Sequence, residues 1–323
     1  MTIRHFLKDT DLSPAEQAEV LDLAVRMKAA PYEAQPLAAE GAARKTVAVI
    51  FDKTSTRTRV SFSTGVSDMG GTPLIINPGE SQIGHKESVE DTARVLERMV
   101  AAIVWRTGAH QGLVDMAANS RVPVVNALCD DYHPCQLLAD LLTVKEHKGK
   151  LAGLTMAYLG DAANNMANSY LLAGATAGMN VRIAGPEGYL PAPEIVAEAE
   201  DVAATTGGSV LITVDPVAAL EGADVVATDT WVSMGQEDEK AERMQLFRDY
   251  SVGGAAMAKA APDAVFLHCL PAYRGYEVAA EVIDGPQSIV WDEAENRLHA
   301  QKALLAWVLH YSGQAVVEGL PAV

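Results

Sequence analysis

Short apolar runs recur along this chain, separated by amphipathic stretches of helical length. Leu12-Ser13-Pro14-Ala15-Glu16 reads as a helix start, with Ser13 as cap, Pro14 at the first helical position and Glu16 closing a capping box. The clearest apolar run follows, Thr46-Val47-Ala48-Val49-Ile50-Phe51. Its near-continuous apolar character predicts a strand buried on both faces of a parallel sheet. Pro73–Ile76, Ala101–Trp105 and Val122–Asn126 repeat the pattern, with helices predicted to begin at Ser88, Gln111 and near His133. The polar stretch Lys145-Glu146-His147-Lys148-Gly149-Lys150 breaks the alternation. It restarts with strands predicted over Leu154–Leu159, Val181–Ala184, Val210–Val214, Val225–Thr228, Val265–His268 and Ser288–Trp291. Strands alternating with helices predict βαβ units. The expected fold is α/β, with two doubly wound domains, mainly parallel sheets and an active site in the cleft between them. The expected domains are 1–147 and 148–295, with a last helix over Asn296–Ser312 and the segment 296–323 packing back on the first.

Composition narrows the function. The chain has 323 residues and a formal net charge of −17, which disfavours nucleic acid and anionic membrane surfaces as partners. Three cysteines, Cys129, Cys135 and Cys269, make no disulfide framework. The start Met1-Thr2-Ile3-Arg4-His5 has no apolar signal core, and no apolar run is long enough to span a bilayer. These features predict a cytoplasmic protein.

Against that acidic background, Ser55-Thr56-Arg57-Thr58-Arg59 stands out. It lies where a predicted strand turns into a predicted helix. A helix start offers unpaired N–H groups and partial positive charge, which suit an anion. Ser55, Thr56 and Thr58 add hydroxyls, and Arg57 adds a planar fork that matches phosphate oxygens. Arginines in a first turn oppose the helix dipole, a conflict that a bound anion resolves. No G-x-x-x-x-G-K-[ST] run is present, so this is not a nucleotide P-loop. The plain alternative is an ordinary N-cap with solvated arginines.

Other candidates also follow predicted strands, where ligands bind in open parallel sheets. Arg106 follows Ala101–Trp105 and makes a second phosphate clamp or a surface charge. In His133-Pro134-Cys135-Gln136, His133 and Gln136 offer donors to a carbonyl oxygen, or simply begin a helix with Pro134 in the first turn. Cys135 reads as packing. Gly160-Asp161-Ala162-Ala163-Asn164-Asn165 keeps only one glycine of a dinucleotide fingerprint, which disfavours a nicotinamide-dependent dehydrogenase. There Asn164 caps a helix and Asn165 projects an amide. Asp229 offers a carboxylate for an ammonium group, or is an exposed loop acid. Ser233-Met234-Gly235 reads as a hinged loop. His268 and Cys269 lack zinc-site spacing, and strand alternation puts them on opposite faces. Glu293 and Arg297 stand four apart, either as a local ion pair or with Arg297 reaching the cleft.

Together these motifs resemble the carbamoyltransferase family, and within it the ornithine-using branch, over nearly the whole chain. The resemblance implies that carbamoyl phosphate is held by Ser55, Thr56, Arg57, Thr58, Arg106, His133, Pro134, Cys135, Gln136, Cys269, Leu270 and Arg297. Gln82 would reach the neighbouring subunit's site in a homotrimer. Asn165, Asp229, Ser233 and Met234 would hold ornithine. Catalysis would fall to Arg57, Arg106, His133 and Cys269, with no metal or organic cofactor. The first domain would bind carbamoyl phosphate and the second ornithine. A related amine acceptor, such as putrescine or acetylornithine, is the near alternative. An aspartate-using site would need extra cations where Asp229 and Ser233-Met234-Gly235 stand.

Overall fold

The computed structural model describes residues 2–39, 43–80, 83, 86–232 and 237–322. The chain divides into two compact units, one of residues 1–139 with 296–323, the other of residues 140–295.

The first unit opens with α1 (Pro14–Ala29), capped as its sequence predicts. The Ser13 side chain accepts from Glu16 N, and the Glu16 side chain returns to the Ser13 backbone. A four-stranded parallel sheet follows, built from β1 (Thr46–Phe51), β2 (Thr72–Ile76), β3 (Ala102–Arg106) and β4 (Val124–Leu128) in the order β2-β1-β3-β4. Helices α2 (Thr56–Asp68), α3 (Val89–Leu96) and α4 (His110–Ala118) make the crossovers. Ala48, Ile50, Ile103, Trp105 and Val124 of the sheet form a core with Ala93, Leu113 and Met116 of α3 and α4. The free side of β4 is covered by the N-terminal segment, through Phe6 N to Val124 O and Asn126 N to Phe6 O.

Helix α5 (Pro134–Lys148) carries the chain from the first unit into the second. Lys145–Lys148 therefore belong to a helix, which Gly149 closes with φ of 74°. The second sheet is also parallel, with β5 (Thr155–Leu159), β6 (Asn180–Ala184), β7 (Ser209–Thr213), β8 (Val225–Thr228) and β9 (Val265–Leu267) in the order β7-β6-β5-β8-β9. Its helices are α6 (Asn165–Thr176), α7 (Pro193–Thr206), α8 (Pro216–Leu220), α9 (Lys240–Leu246), α10 (Gly254–Met257) and α11 (Ala280–Ile283).

The strand expected at Ser288–Trp291 does not form. Ser288 makes one parallel bridge to Phe266, and α12 (Val290–Tyr311) begins two residues later. Asp292 and Glu293 in its first turn complement the helix dipole, so the segment turns helical before the predicted Asn296. From Asn296 onward, α12 belongs to the first unit. Lys28 Nζ donates to Asn296 Oδ1 at 2.8 Å, and fully buried Lys302 donates to Asp68 Oδ2 at 3.1 Å. Among the described residues, no helix is long and apolar enough to cross a membrane.

In each sheet the strand order reverses once, between β1 and β3 in the first unit and between β5 and β8 in the second. Crevices open at the carboxyl ends of strands at such points. The chemistry-bearing residues of each unit gather there.

Candidate active site

In the first unit, Ser55 caps α2, its hydroxyl accepting from Thr58 N at 3.3 Å. No acid lies in the first turn of α2, whereas α1 and α3 both carry acids there. Arg57 stands at the second helical position, half-buried, and Thr56 is exposed. Arg106 ends β3, where the pairing with β4 shifts register between Trp105 and Arg106. The shift re-aims the last side chain of the strand, and Arg106 is buried.

Thr58 ties this corner together. Its buried hydroxyl accepts from Arg106 Nη1 at 3.4 Å and from Arg297 Nη2 at 3.2 Å. Two guanidiniums occupy its lone pairs, so the hydroxyl proton is what Thr58 can offer a ligand. Arg297 also donates from Nη1 to Gln136 Oε1 at 2.6 Å. That bond sets which way the Gln136 amide faces. It also places α12 beside the start of α5, where Pro134 occupies the first position. Gln136 N donates to His133 O at 3.0 Å. The Cys135 thiol donates to Asn126 O at 3.2 Å, and burial pushes its pKa up to about 12, so Cys135 packs as an inert thiol.

His133 is buried, and its pKa lies well below the ordinary value. Burial is the first cause, and the positive charges of Arg297, Arg106 and Arg57 add to it. The ring is therefore neutral at physiological pH, able to donate one N–H without adding a fourth charge. A chain of net charge −17 has thus gathered three arginines around one neutral imidazole.

In the second unit, Asp229 follows β8 and is buried. Its Oδ1 accepts from Thr230 N at 2.7 Å and from the Cys269 thiol at 3.2 Å. Burial raises its pKa, while these hydrogen bonds oppose the rise. It is not an exposed loop acid. Burial and the neighbouring Asp229 and Glu293 carboxylates hold the Cys269 pKa well above the ordinary value. Cys269 is therefore a protonated thiol, poor as a nucleophile.

Strand alternation does not separate His268 from Cys269, because β9 ends at Leu267. Leu270 adopts φ of 59°, and the turn brings ligand atoms of Asp229, His268 and Cys269 within 4.8 Å of one another. They form the one such group among the described residues. It does not suit a metal ion, because both His268 ring nitrogens are hydrogen-bonded, to Leu270 N and to Glu277. Asn164 caps α6 through Ala167 N, and Asn165 opens the helix half-buried at the carboxyl end of β5. Gln82, Ser233 and Met234 lie outside the described residues.

The sequence reading misses two acids. Glu293 accepts from His268 N at 2.8 Å, a role that its spacing from Arg297 conceals. Glu277 accepts from His268 Nε2 and from Tyr273 N. The signal available for Glu277 is an acid a short loop beyond His268, which is unremarkable until the loop folds back.

Comparison with known proteins agrees with this geometry. Residues 4–146 match the family model described as the carbamoyl-P binding domain of aspartate/ornithine carbamoyltransferase, and residues 152–308 match its Asp/Orn binding domain. An ornithine carbamoyltransferase of Renibacterium salmoninarum is 72% identical over 96% of this chain and 99% of its own length. One from Leifsonia xyli is 67% identical over 95% of this chain and 97% of its own. The solved ornithine carbamoyltransferase of Pyrococcus furiosus superposes with a TM-score of 0.90 at 42% identity, covering 99% of this chain and 100% of that one. An anabolic ornithine carbamoyltransferase from Campylobacter jejuni gives 0.88 at 39% identity, over 95% and 99%. Two parallel α/β units, an arginine-rich helix start in one and a buried acid beside a thiol in the other, thus accompany full-length similarity, and the chain belongs to the aspartate/ornithine carbamoyltransferase family.

Proposed function

We propose that this chain transfers the carbamoyl group of carbamoyl phosphate to the side-chain amine of L-ornithine, giving L-citrulline and phosphate. The observation that carries this reading is the trio of arginines around neutral His133, two of them held by Thr58. Residues 1–147 with 296–323 take carbamoyl phosphate, and residues 148–295 take ornithine. Ser55, Thr56, Arg57 and Thr58 hold the phosphate at the start of α2, aided by backbone N–H groups. Thr58, Arg106 and His133 polarise the carbonyl. Pro134, Cys135, Gln136, Cys269, Leu270 and Arg297 line the remainder of the carbamoyl phosphate site. Asn165, Asp229, Ser233 and Met234 hold ornithine, with Asp229 facing its α-ammonium. The neutral δ-amine attacks the carbonyl carbon, forming the C–N bond. The C–O bond to phosphate then breaks, and the proton shed by the nitrogen ends on the departing phosphate. Positive charge fixed around the leaving phosphate stabilises that step without reorganisation, and positioning supplies much of the remainder.

The buried carboxylate of Asp229 favours an acceptor with a charged α-nitrogen. Acetylornithine carries an uncharged amide there, and aspartate brings a second carboxylate. Phosphate release from carbamoyl phosphate, measured with ornithine, putrescine, acetylornithine and aspartate in parallel, tests the assignment. Ornithine should lead in kcat/KM by about 100-fold or more. A higher value for any of the others would reassign the substrate.

The assembly is a homotrimer in which Gln82 acts in a neighbouring subunit's site. Apolar side chains of the first unit left at the surface support an interface there, notably Val60 at 58% and Met99 at 71% exposure, with Leu74 on edge strand β2. Neither Gln82→Ala nor Arg106→Ala trimers should turn over well alone. Mixed trimers of the two should regain activity in sites with both wild-type residues. Mixed trimers that stay inactive would exclude action in trans. Three free thiols suit a reducing compartment, which supports the cytoplasm.

A further inference from the structure

We propose that Glu277 is a positioning residue that acts through His268 to set the turn carrying Cys269 and Leu270; this rests on the reading that these two residues meet the substrates.

The arrangement is a buried relay. Leu270 N donates to His268 Nδ1 at 2.9 Å, so Nδ1 must carry a lone pair. The ring proton then lies on Nε2, which donates to Glu277 Oε1 at 3.3 Å. The same oxygen accepts from Tyr273 N at 2.6 Å. Both His268 and Glu277 are almost wholly buried. The His268 backbone is held independently, through its N–H to Glu293 Oε2. Every hydrogen bond of the His268 ring is thus directional, and the Glu277 carboxyl and the Leu270 N–H select the same tautomer.

The turn that this relay holds needs a holder. Leu270 adopts φ of 59°, a left-handed conformation uncommon outside glycine. Such a backbone persists where surrounding contacts over-determine it. Its N–H is fixed by the imidazole, and the preceding Cys269 thiol is fixed by Asp229. With the opposite tautomer, an N–H on Nδ1 would face the Leu270 N–H, and the turn would lose its anchor. The path from Glu277 to the Leu270 N–H runs through the two ring nitrogens. The effect of Glu277 passes through the ring.

The test begins with the wild-type protein without substrate, labelled with 15N-histidine. His268 should show the Nε2–H tautomer in the nuclear magnetic resonance spectrum, and an Nδ1–H signature would overturn the proposal. Glu277→Ala should lose the single tautomer and lower kcat/KM for ornithine by about 100-fold, as a small misplacement of reacting groups does. Glu277→Gln keeps an oxygen for both donors, so it should retain the tautomer and recover most of the loss. The double variant Glu277→Ala/His268→Asn should lose little beyond His268→Asn alone, because one residue acts through the other. Additive losses in the double variant or unchanged kinetics in a folded Glu277→Ala protein would each refute the relay. If Glu277→Ala does not fold, Glu277→Gln decides. Loss of the tautomer or of activity in that variant, despite native folding, contradicts the relay. The tautomer is read without substrate, so a wild-type protein inactive with ornithine would refute the functional reading separately.

Discussion

Arg57→Gly lowers kcat by about 1,000-fold, the loss expected when one fixed charge is removed from a developing phosphate. The fold survives the change for a reason visible in α2. A glycine costs about 1 kcal/mol relative to alanine inside a helix. Removing a positive charge from the N-terminal turn returns roughly 0.3–1 kcal/mol, because the arginine opposes the dipole there. Ser55 still caps the helix through Thr58 N. Arg106 and Arg297 remain on Thr58, so the corner keeps its geometry while losing one of three charges. The variant should therefore melt within a few degrees of the parent, a comparison made by thermal denaturation beside steady-state kinetics. A kcat within threefold of wild type would remove Arg57 from the phosphate site.

The second large effect falls on the other substrate. Asp229→Asn raises KM for ornithine by about 100-fold or more, because an ammonium entering a buried site then has no opposite charge. Affinity for carbamoyl phosphate should be nearly unchanged. The variant keeps an oxygen for Thr230 N and the Cys269 thiol, so packing is preserved. Stability moves the opposite way from function. The Asp229 pKa is raised in the folded chain, so the folded state holds the proton more tightly than the unfolded chain does. Between the unfolded and folded pKa values the folded state binds more protons, and stability falls as pH rises through that window. At neutral pH the wild-type protein bears that cost, and the neutral amide removes it. Asp229→Asn should melt at or above the wild-type temperature. A variant with unchanged ornithine KM would show that Asp229 does not face the ammonium.

Much of the architecture was legible because periodicity is local. A run such as Thr46–Phe51 is apolar on both faces, and only a covered parallel strand accommodates that. Caps at Ser13, Ser55, Ser88 and Asn164 were readable because a hydroxyl or amide one residue before a helix has a local partner. The segment at Ser288–Trp291 misled for the same reason. Its apolar run resembles a strand, yet the acids at 292 and 293 favour a helix start, and a run of four residues carries too little period to decide. The His268–Cys269 pair misled because alternation holds only while a strand lasts, and β9 stops one residue too early.

Residue types and their order along the chain determined the parallel α/β layout, the arginine-rich helix start and the membership of this family, because each depends on spacing within a few residues or on the whole ordered set. Only the tertiary structure decided how those residues work. Thr58 became the acceptor for two arginines drawn from β3 and α12, residues 48 and 239 positions away. Burial made His133 neutral, Asp229 harder to ionise and Cys269 a settled thiol. Glu277 came to the His268 ring only because a loop folds back. Desolvation and long-range charge depend on what surrounds a group in space, and no spacing along the chain records that.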